Sequence, residues 1–431
     1  MRVLLTGANG FIGAQLLVGL RARGHVVVAA VRDVAAFGRR WPGVDAIPVD
    51  FNRDTAASDW RSRLAGIDAV INCAGVLQGG RGQDIEAIHA TSPIALFDAC
   101  VEAGVRRVVQ ISAISADDEA GTPYSLTKKR ADDHLRRLDL DGVVLRPSLV
   151  YGDGSYGGTS TIRGLAGLPY VTPIVGSALA IFRPLHIDDL VEAVARVLSD
   201  DRLARRTLEP VGPDKVTLAA MIAQYRAWLG LPPARPLEVP LPIARLAARL
   251  ADLSGGGPMG SAGLRQLLVG NAGSEPDGVF AQAVGFVPAS LAQRLAVRPA
   301  QTQDLWHARL YFVRPLLRAV LAALWIGSGL AGLLAPTDDY RTVAASLEAM
   351  GLPARALAFV FGAVDLAIAW AIVRRWRPRL MAAAQVTVIA GYTLGLSILG
   401  PALWLDPFGA LLKNLPILGA VAAWAALEEE R

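Results

Sequence analysis

Tyr124 and Lys128 stand four residues apart in the stretch 122–130, TPYSLTKKR. On a helix that spacing puts them one turn apart on a shared face. A phenol beside an ammonium can act as a proton donor with a tuning cation, because a neighbouring positive charge draws a phenol down from its ordinary pKa of about 10. An aromatic ring and a charge that merely share a helix face have the same spacing, so the pair alone leaves both readings open.

A second constellation lies at the start of the chain. Gly7, Gly10 and Gly13 recur at three-residue spacing in TGANGFIG. Residues 3–5 read as a short buried strand, an amphipathic helix follows from about Phe11 to Arg23, Gly24 stops it, and HVVVAAVR reads as a second strand. In that order of elements the glycines let the backbone pass close to a pyrophosphate, and the helix N-terminus donates N–H groups to it. Gly7, Asn9, Gly10, Phe11, Ile12 and Gly13 are therefore candidate dinucleotide-binding residues. Arg32 and Asp33 follow the second strand directly. An arginine there pairs with the 2′-phosphate of NADP, and an acid bonds the ribose 2′-hydroxyl of NAD. Arginine comes first and its planar fork suits a phosphate, so the expectation is NADP, with NAD as the alternative.

The frame that must hold these residues is long and uneven. A chain of 431 residues exceeds one ordinary domain. Hydrophobic residues make up 53% and charged residues 19%, with mean hydropathy +0.38. Most of the charge lies in roughly the first three hundred residues, and long apolar runs fill the remainder. The net charge of +5 is modest, and no basic stripe with interleaved aromatics supports nucleic-acid binding. Two cysteines, Cys73 and Cys100, give neither a disulfide framework nor metal-type spacing, so no metal is expected. The opening apolar run is too short for a signal peptide, which leaves the head expected in the reducing cytoplasm.

Four tail segments, residues 316–335, 356–373, 380–399 and 408–427, approach the run of about 20 apolar residues needed to span a bilayer. A soluble bundle would alternate its faces, yet the third segment carries no charge at all. Arg309, Arg314 and Arg318 flank the first segment, and Arg374, Arg375, Arg377 and Arg379 fill the loop between the second and third. The positive-inside rule then predicts four spans in a cell inner membrane with both termini cytoplasmic. Asp365 and Lys413 fall inside the predicted spans. Either they pair, or Lys413 reaches an interface while Asp365 meets water or backbone. Gly327, Gly329 and Gly332 would allow close helix contact, and Asn414 and Pro416 suggest a locally irregular fourth helix.

The GxxGxxG spacing of TGANGFIG resembles the short-chain dehydrogenase/reductase superfamily in its extended or atypical branch. PVDFNRD, AVINCAG, VRRVVQISAIS, RPSLVYG and RPLHIDDLVEAVARVL match further segments in order. The resemblance covers about residues 1–300. Its closest flavour is the nucleotide-binding accessory subunit of respiratory complex I and its bacterial relatives. It implies that Asp50 and Phe51 meet the adenine and that Cys73, Ala74 and Gly75 lie beside the dinucleotide. It also implies that Tyr124 exchanges a proton with the substrate oxygen, while Lys128 lowers the phenol pKa and holds the nicotinamide ribose. Where such proteins carry a second serine after the fifth strand this chain has Ala113, which leaves Ser112 and Ser115 as candidates to polarise the substrate. His89 stands near a helix position often occupied by asparagine and is either structural or a proton relay; His186 is expected to be structural. Tyr151, Tyr156, Arg163 and Phe182 are substrate contacts or ordinary loop residues. DPFGALLKNLPIL and the four apolar segments resemble the DoxX-like membrane family over about residues 310–428, implying a compact four-helix bundle.

The fold expected is α/β: a Rossmann-type doubly wound parallel sheet with a small substrate lobe, followed by a four-helix transmembrane bundle. Residues 1–300 form the dehydrogenase-like domain (nucleotide core about 1–150, lobe about 150–300), and residues 310–428 the membrane domain. The function expected is a membrane-anchored NAD(P)H-dependent oxidoreductase acting on a carbonyl or hydroxyl of a small, lipid-like substrate. The alternative is a non-catalytic NAD(P)H-binding sensor or assembly protein at the membrane. The lipid bilayer and the dinucleotide are the partners implied.

Overall fold

Short runs of β-branched and small apolar residues build the central sheet. In the computed structural model, which describes all residues except 78, 81, 119–120, 155, 176–179, 254–258, 337–339, 408 and 429–431, they form β1 (Arg2–Thr6), β2 (Val26–Val31), β3 (Asp45–Pro48), β4 (Ala69–Asn72), β5 (Arg107–Ile111) and β6 (Asp141–Leu145). Every pairing is parallel, in the order β6-β5-β4-β1-β2-β3, and Thr207–Leu208 adds a short strand outside β6. A parallel sheet is covered on both faces, so its strands are apolar at almost every position. Val3, Leu5, Val27 and Ile71 face α1 (Phe11–Ala22), whose Leu16, Leu17 and Leu20 complete one core. Leu4, Val28, Val70 and Val108 point to the other face, against α4 (Ser92–Ala103) and α5 (Pro123–Arg137).

The chain builds β1, β2 and β3 toward one edge, then returns to place β4, β5 and β6 on the other side of β1. Connections leaving the carboxyl ends of β1 and β4 therefore diverge, and the crevice between them is where open α/β sheets bind ligands. A third core, with Ile162 of α6 (Gly157–Gly167) and Met221, Ile222 and Tyr225 of α8 (Leu218–Trp228), builds the smaller lobe. The chain divides into two compact units, Met1–Ala308 and Arg309–Arg431.

Among the described residues of the second unit, three helices, Val313–Leu334, Ala354–Val373 and Pro378–Leu399, are long and apolar enough to cross a membrane. In the fourth expected span the described helix covers Asn414–Glu428, 15 residues, or about 22 Å against a hydrocarbon thickness of about 30 Å. Gly409 takes a left-handed φ of 66° ahead of it. Starting at Asn414 also leaves Pro416 in the first turn, where its missing N–H has no intrahelical partner to lose. A Cβ on Gly329 or Gly332 would lie 2.8 Å from the carbonyl oxygen of Gly362 or Ala358, so these glycines let the first two long helices approach closely. Gly327 meets nothing within 4 Å.

Of the two readings of Asp365 and Lys413, the pairing does not form. The buried Asp365 carboxylate accepts from Ser328 Oγ at 2.6 Å and from Tyr392 OH at 2.8 Å, joining the three long helices. Lys413 is exposed in the turn ahead of the fourth helix. Hydroxyl donors from neighbouring helices satisfy the acid without a buried cation.

Candidate functional site

The first wall of the switch-point crevice is the turn between β1 and α1. Gly7 has φ 67°, a left-handed conformation in which a side chain would be strained. A Cβ there would also sit 2.6 Å from the carbonyl oxygen of Cys73. A Cβ on Gly13 would lie 2.1 Å from the Gly7 carbonyl oxygen, so the helix can begin against its own turn only without one. Gly10 is the N-cap residue and offers no side-chain cap. The first amides of α1 are thus left to an outside acceptor, and a phosphate suits them in both charge and geometry.

A buried chain of side chains ties this wall to the next. Thr6 Oγ1 donates to Asn72 Oδ1 at 2.6 Å, and Asn72 Nδ2 donates to Gln110 Oε1 at 2.7 Å, linking the ends of β1, β4 and β5. The Cys73 amide donates to Thr6 Oγ1 at 3.1 Å. Residues 73–75 therefore leave β4 along a fixed path. A Cβ on Gly75 would come within 3.4 Å of Lys128 Nζ and 3.5 Å of His89 Nε2. Burial pushes the Cys73 thiol up to about 12, so it is no nucleophile near neutral pH.

Tyr124 and Lys128 reach the crevice from the start of α5. Thr122 caps that helix by accepting from the Ser125 amide at 3.0 Å, and Pro123 occupies its first position. Tyr124 falls in the first turn and Lys128 one turn on, with Nζ 5.8 Å from the phenol ring centre. Buried Lys128 donates to the Ile111 carbonyl at 3.2 Å, and burial lowers its pKa. The lowering of the phenol pKa expected from Lys128 is corrected: burial, and then the charge of Asp132, push the Tyr124 phenol up to about 12. At neutral pH the phenol keeps its proton, the form needed to donate one to a substrate oxygen.

His89 braces this arrangement. It sits in a π-helical turn, Ala87–Thr91, a distortion that recurs at functional sites. Its ring meets Tyr124 edge to face at 5.3 Å. Nε2 accepts the Val76 amide at 2.9 Å, while Nδ1 lies 3.1 Å from Thr127 Oγ1, whose own proton goes to the Pro123 carbonyl. That network assigns the proton to Nδ1. Burial, and then Lys128, push the imidazole pKa down to about 2, so the ring stays neutral.

An NAD(P)H-binding family model matches residues 7–166, and a DoxX-like family model matches residues 322–422. A 3-diazoavenalumate denitrifying reductase of a Streptomyces species is 33% identical over 280 residues, covering 58% of this chain and 87% of that protein. The chain belongs to the NAD(P)H-binding short-chain dehydrogenase/reductase family. Its C-terminal part is DoxX-like. A ceramide reductase of Caulobacter vibrioides is 26% identical over 255 residues, covering 58% of this chain and 77% of that protein. A UDP-glucose 4-epimerase of Vibrio cholerae is 24% identical over 268 residues, covering 56% and 79%. Among solved structures, MoeE5 with UDP-glucose and NAD superposes with TM-score 0.52 at 21% identity, covering 72% of this chain and 100% of that one. That likeness shows the fold.

Within this short-chain dehydrogenase/reductase the remaining expected residues take varied places. Ser112 is turned away from the crevice: its hydroxyl donates to buried Asp132 Oδ2 at 2.7 Å. Ser115 Oγ accepts from Gln266 at 3.3 Å. Asp33 caps α2 (Val34–Arg40), accepting the Ala36 amide at 2.8 Å, whereas Arg32 is exposed and unpaired among the described residues. Asp50 accepts from the amide and side chain of Asn52, both at 3.1 Å. The Phe51 ring is in the core, edge-on to Trp60 at 5.6 Å, so only its backbone is left to meet a nucleotide. Ala74 lies between Cys73 and Gly75 on the fixed path out of β4, and Asn9 is exposed on the turn.

Tyr151, Phe182 and Arg163 are buried in the lobe rather than facing a substrate, and Arg163 donates to the Gly152 carbonyl at 2.6 Å. Tyr156 is exposed and stacks on Phe11 at 5.5 Å. His186 is buried against Tyr151 and caps Ile187–Ser199. Sequence reading missed Asp132, one turn beyond Lys128 and paired with Arg146 at 3.0 Å. The signal was present as a third member of the four-residue series 124, 128, 132. Among the described residues no cluster of His, Cys, Asp or Glu suits a metal.

Proposed function

We infer that this chain is a membrane-anchored oxidoreductase that uses NADPH, in preference to NADH, to reduce a carbonyl on a lipid-like substrate. The observation that carries the reading is the convergence of Gly75, Tyr124, Lys128 and His89 at the switch point, opposite an uncapped glycine turn. A bound reduced nicotinamide would supply the hydride. Tyr124 would give its proton to the substrate oxygen, and Lys128 would hold the ribose and stabilise the resulting phenolate. The unpaired Arg32 supports the phosphorylated coenzyme. The spanning-length helices, with more arginines on one set of connections than on the other, support an inner-membrane location with the first unit in the cytoplasm. The reductase relative named for ceramide, a two-chain lipid, supports the substrate class.

One observation favours a second reading, a non-catalytic NADPH sensor. Ala113 replaces the expected hydroxyl and Ser112 is committed to Asp132. The two readings separate in one assay. Full-length protein in nanodiscs is supplied with NADPH and long-chain keto-lipids, and nucleotide oxidation is followed. Catalysis predicts turnover that falls about 10²- to 10⁴-fold in Tyr124→Phe while NADPH binding persists. Binding without turnover on any keto-lipid supports the sensor, and undiminished turnover in Tyr124→Phe refutes the proposed acid.

A further inference from the structure

The helix α9 (Leu241–Leu253) is apolar on the side that faces out. Ala244 and Ala248 are its buried residues, whereas Ile243, Leu246 and Leu250 are 58%, 59% and 58% exposed. At about 100° per residue, the three large side chains fall within about 60° of each other and roughly 150° round from the alanines. A helix on a soluble surface turns polar residues outward instead. Arg245 and Arg249, both exposed, line one side of the apolar stripe. The one acidic residue of the helix, Asp252, accepts the Ser261 amide at 3.1 Å.

We propose that this face of α9 lies in the headgroup–acyl boundary of the bilayer. An apolar stripe bordered along one edge by arginines matches an interfacial helix, with guanidinium groups placed for anionic headgroups. The lipid is at hand by chain connectivity alone: the first unit ends at Ala308 and a spanning-length helix begins at Val313. The inference rests on the membrane reading above and deepens it. It puts the lobe that follows the active-site core on the lipid surface, so that a lipid-like substrate would be drawn from the bilayer rather than from water.

The test is photo-crosslinking of the full chain in phosphatidylcholine nanodiscs, with and without phosphatidylglycerol. Benzoylphenylalanine replaces Leu246, Leu330 of the first long helix, or Val101 on α4, each in protein whose melting matches that of the parent chain. Leu246 is expected to give lipid adducts about tenfold above Val101, rising when phosphatidylglycerol is present. The rise should vanish in Arg245→Gln/Arg249→Gln. Adducts at the Val101 level, or crosslinks to protein while Leu330 still labels lipid, overturn the α9 proposal. Absence of lipid adducts from Leu330 overturns the membrane reading itself.

Discussion

Gly13→Ala should invert the usual effect of replacing a helical glycine. In an open helix interior the change stabilises by about 0.8–1 kcal/mol. Gly38 in α2 is such a site, since a Cβ there meets nothing within 4 Å. At Gly13 the added carbon lies 2.1 Å from the Gly7 carbonyl oxygen and 3.0 Å from Ala8 Cα, both backbone atoms. No rotamer relieves that overlap, so turn and helix must part by about 1 Å, at an overpacking cost of about 1–3 kcal/mol. The same displacement moves the amides proposed to hold the diphosphate. Each charge-assisted hydrogen bond lost costs about 1.5–3 kcal/mol, roughly ten- to a hundredfold in affinity. Denaturation of the full chain and calorimetric titration with NADPH give both quantities. Gly38→Ala should raise stability and leave binding unchanged, whereas Gly13→Ala should lower both. If Gly13→Ala melts higher and binds within about twofold of the parent, the proposed cradle is wrong.

Arg32→Ala should weaken NADPH by about ten- to a hundredfold and leave NADH nearly unchanged, because the unpaired guanidinium is the proposed phosphate partner; titration with both coenzymes decides it. His89, held near 2 instead of its ordinary 6.5, refuses a proton that the unfolded chain accepts. Stability should therefore fall as pH drops below about 6.5, by about 1.4 kcal/mol per pH unit at most. Denaturation at pH 7.5 and 5 should show a smaller acid loss in His89→Gln than in the parent, and equal losses would refute the assignment. Asp365→Leu leaves the Ser328 and Tyr392 hydroxyls without their acceptor, at about 0.6 kcal/mol each in a membrane setting. Melting in nanodiscs should drop more for Asp365→Leu than for Asp365→Asn, which keeps an acceptor.

Much of the fold was legible because its signals are local. Strand, glycine turn and helix follow one another within the first 31 residues, and a parallel sheet follows from alternating strands and helices. Tyr124 and Lys128 were legible because one helical turn joins them. What stayed hidden depends on contacts distant in sequence. Ser112 looked free to face a substrate until Asp132 was placed beneath it and Arg146 beside that acid. The Thr6–Asn72–Gln110 chain draws on three strands, and no periodicity announces it. The fourth tail segment satisfied a hydropathy rule that counts residues, and such a rule does not register the left-handed turn at Gly409 or a helix that begins only at Asn414.

The cap on α2 shapes how this lineage could drift between coenzymes. Asp33 is partly engaged: its Oδ1 holds the amide of Ala36. Losing Arg32 alone would abandon one coenzyme, and the ribose of the other would meet an acid whose side chain is already oriented by the helix it caps. Under the NADPH assignment proposed here, the choice between the two pyridine nucleotides is thus coupled to the start of α2 through a single carboxylate.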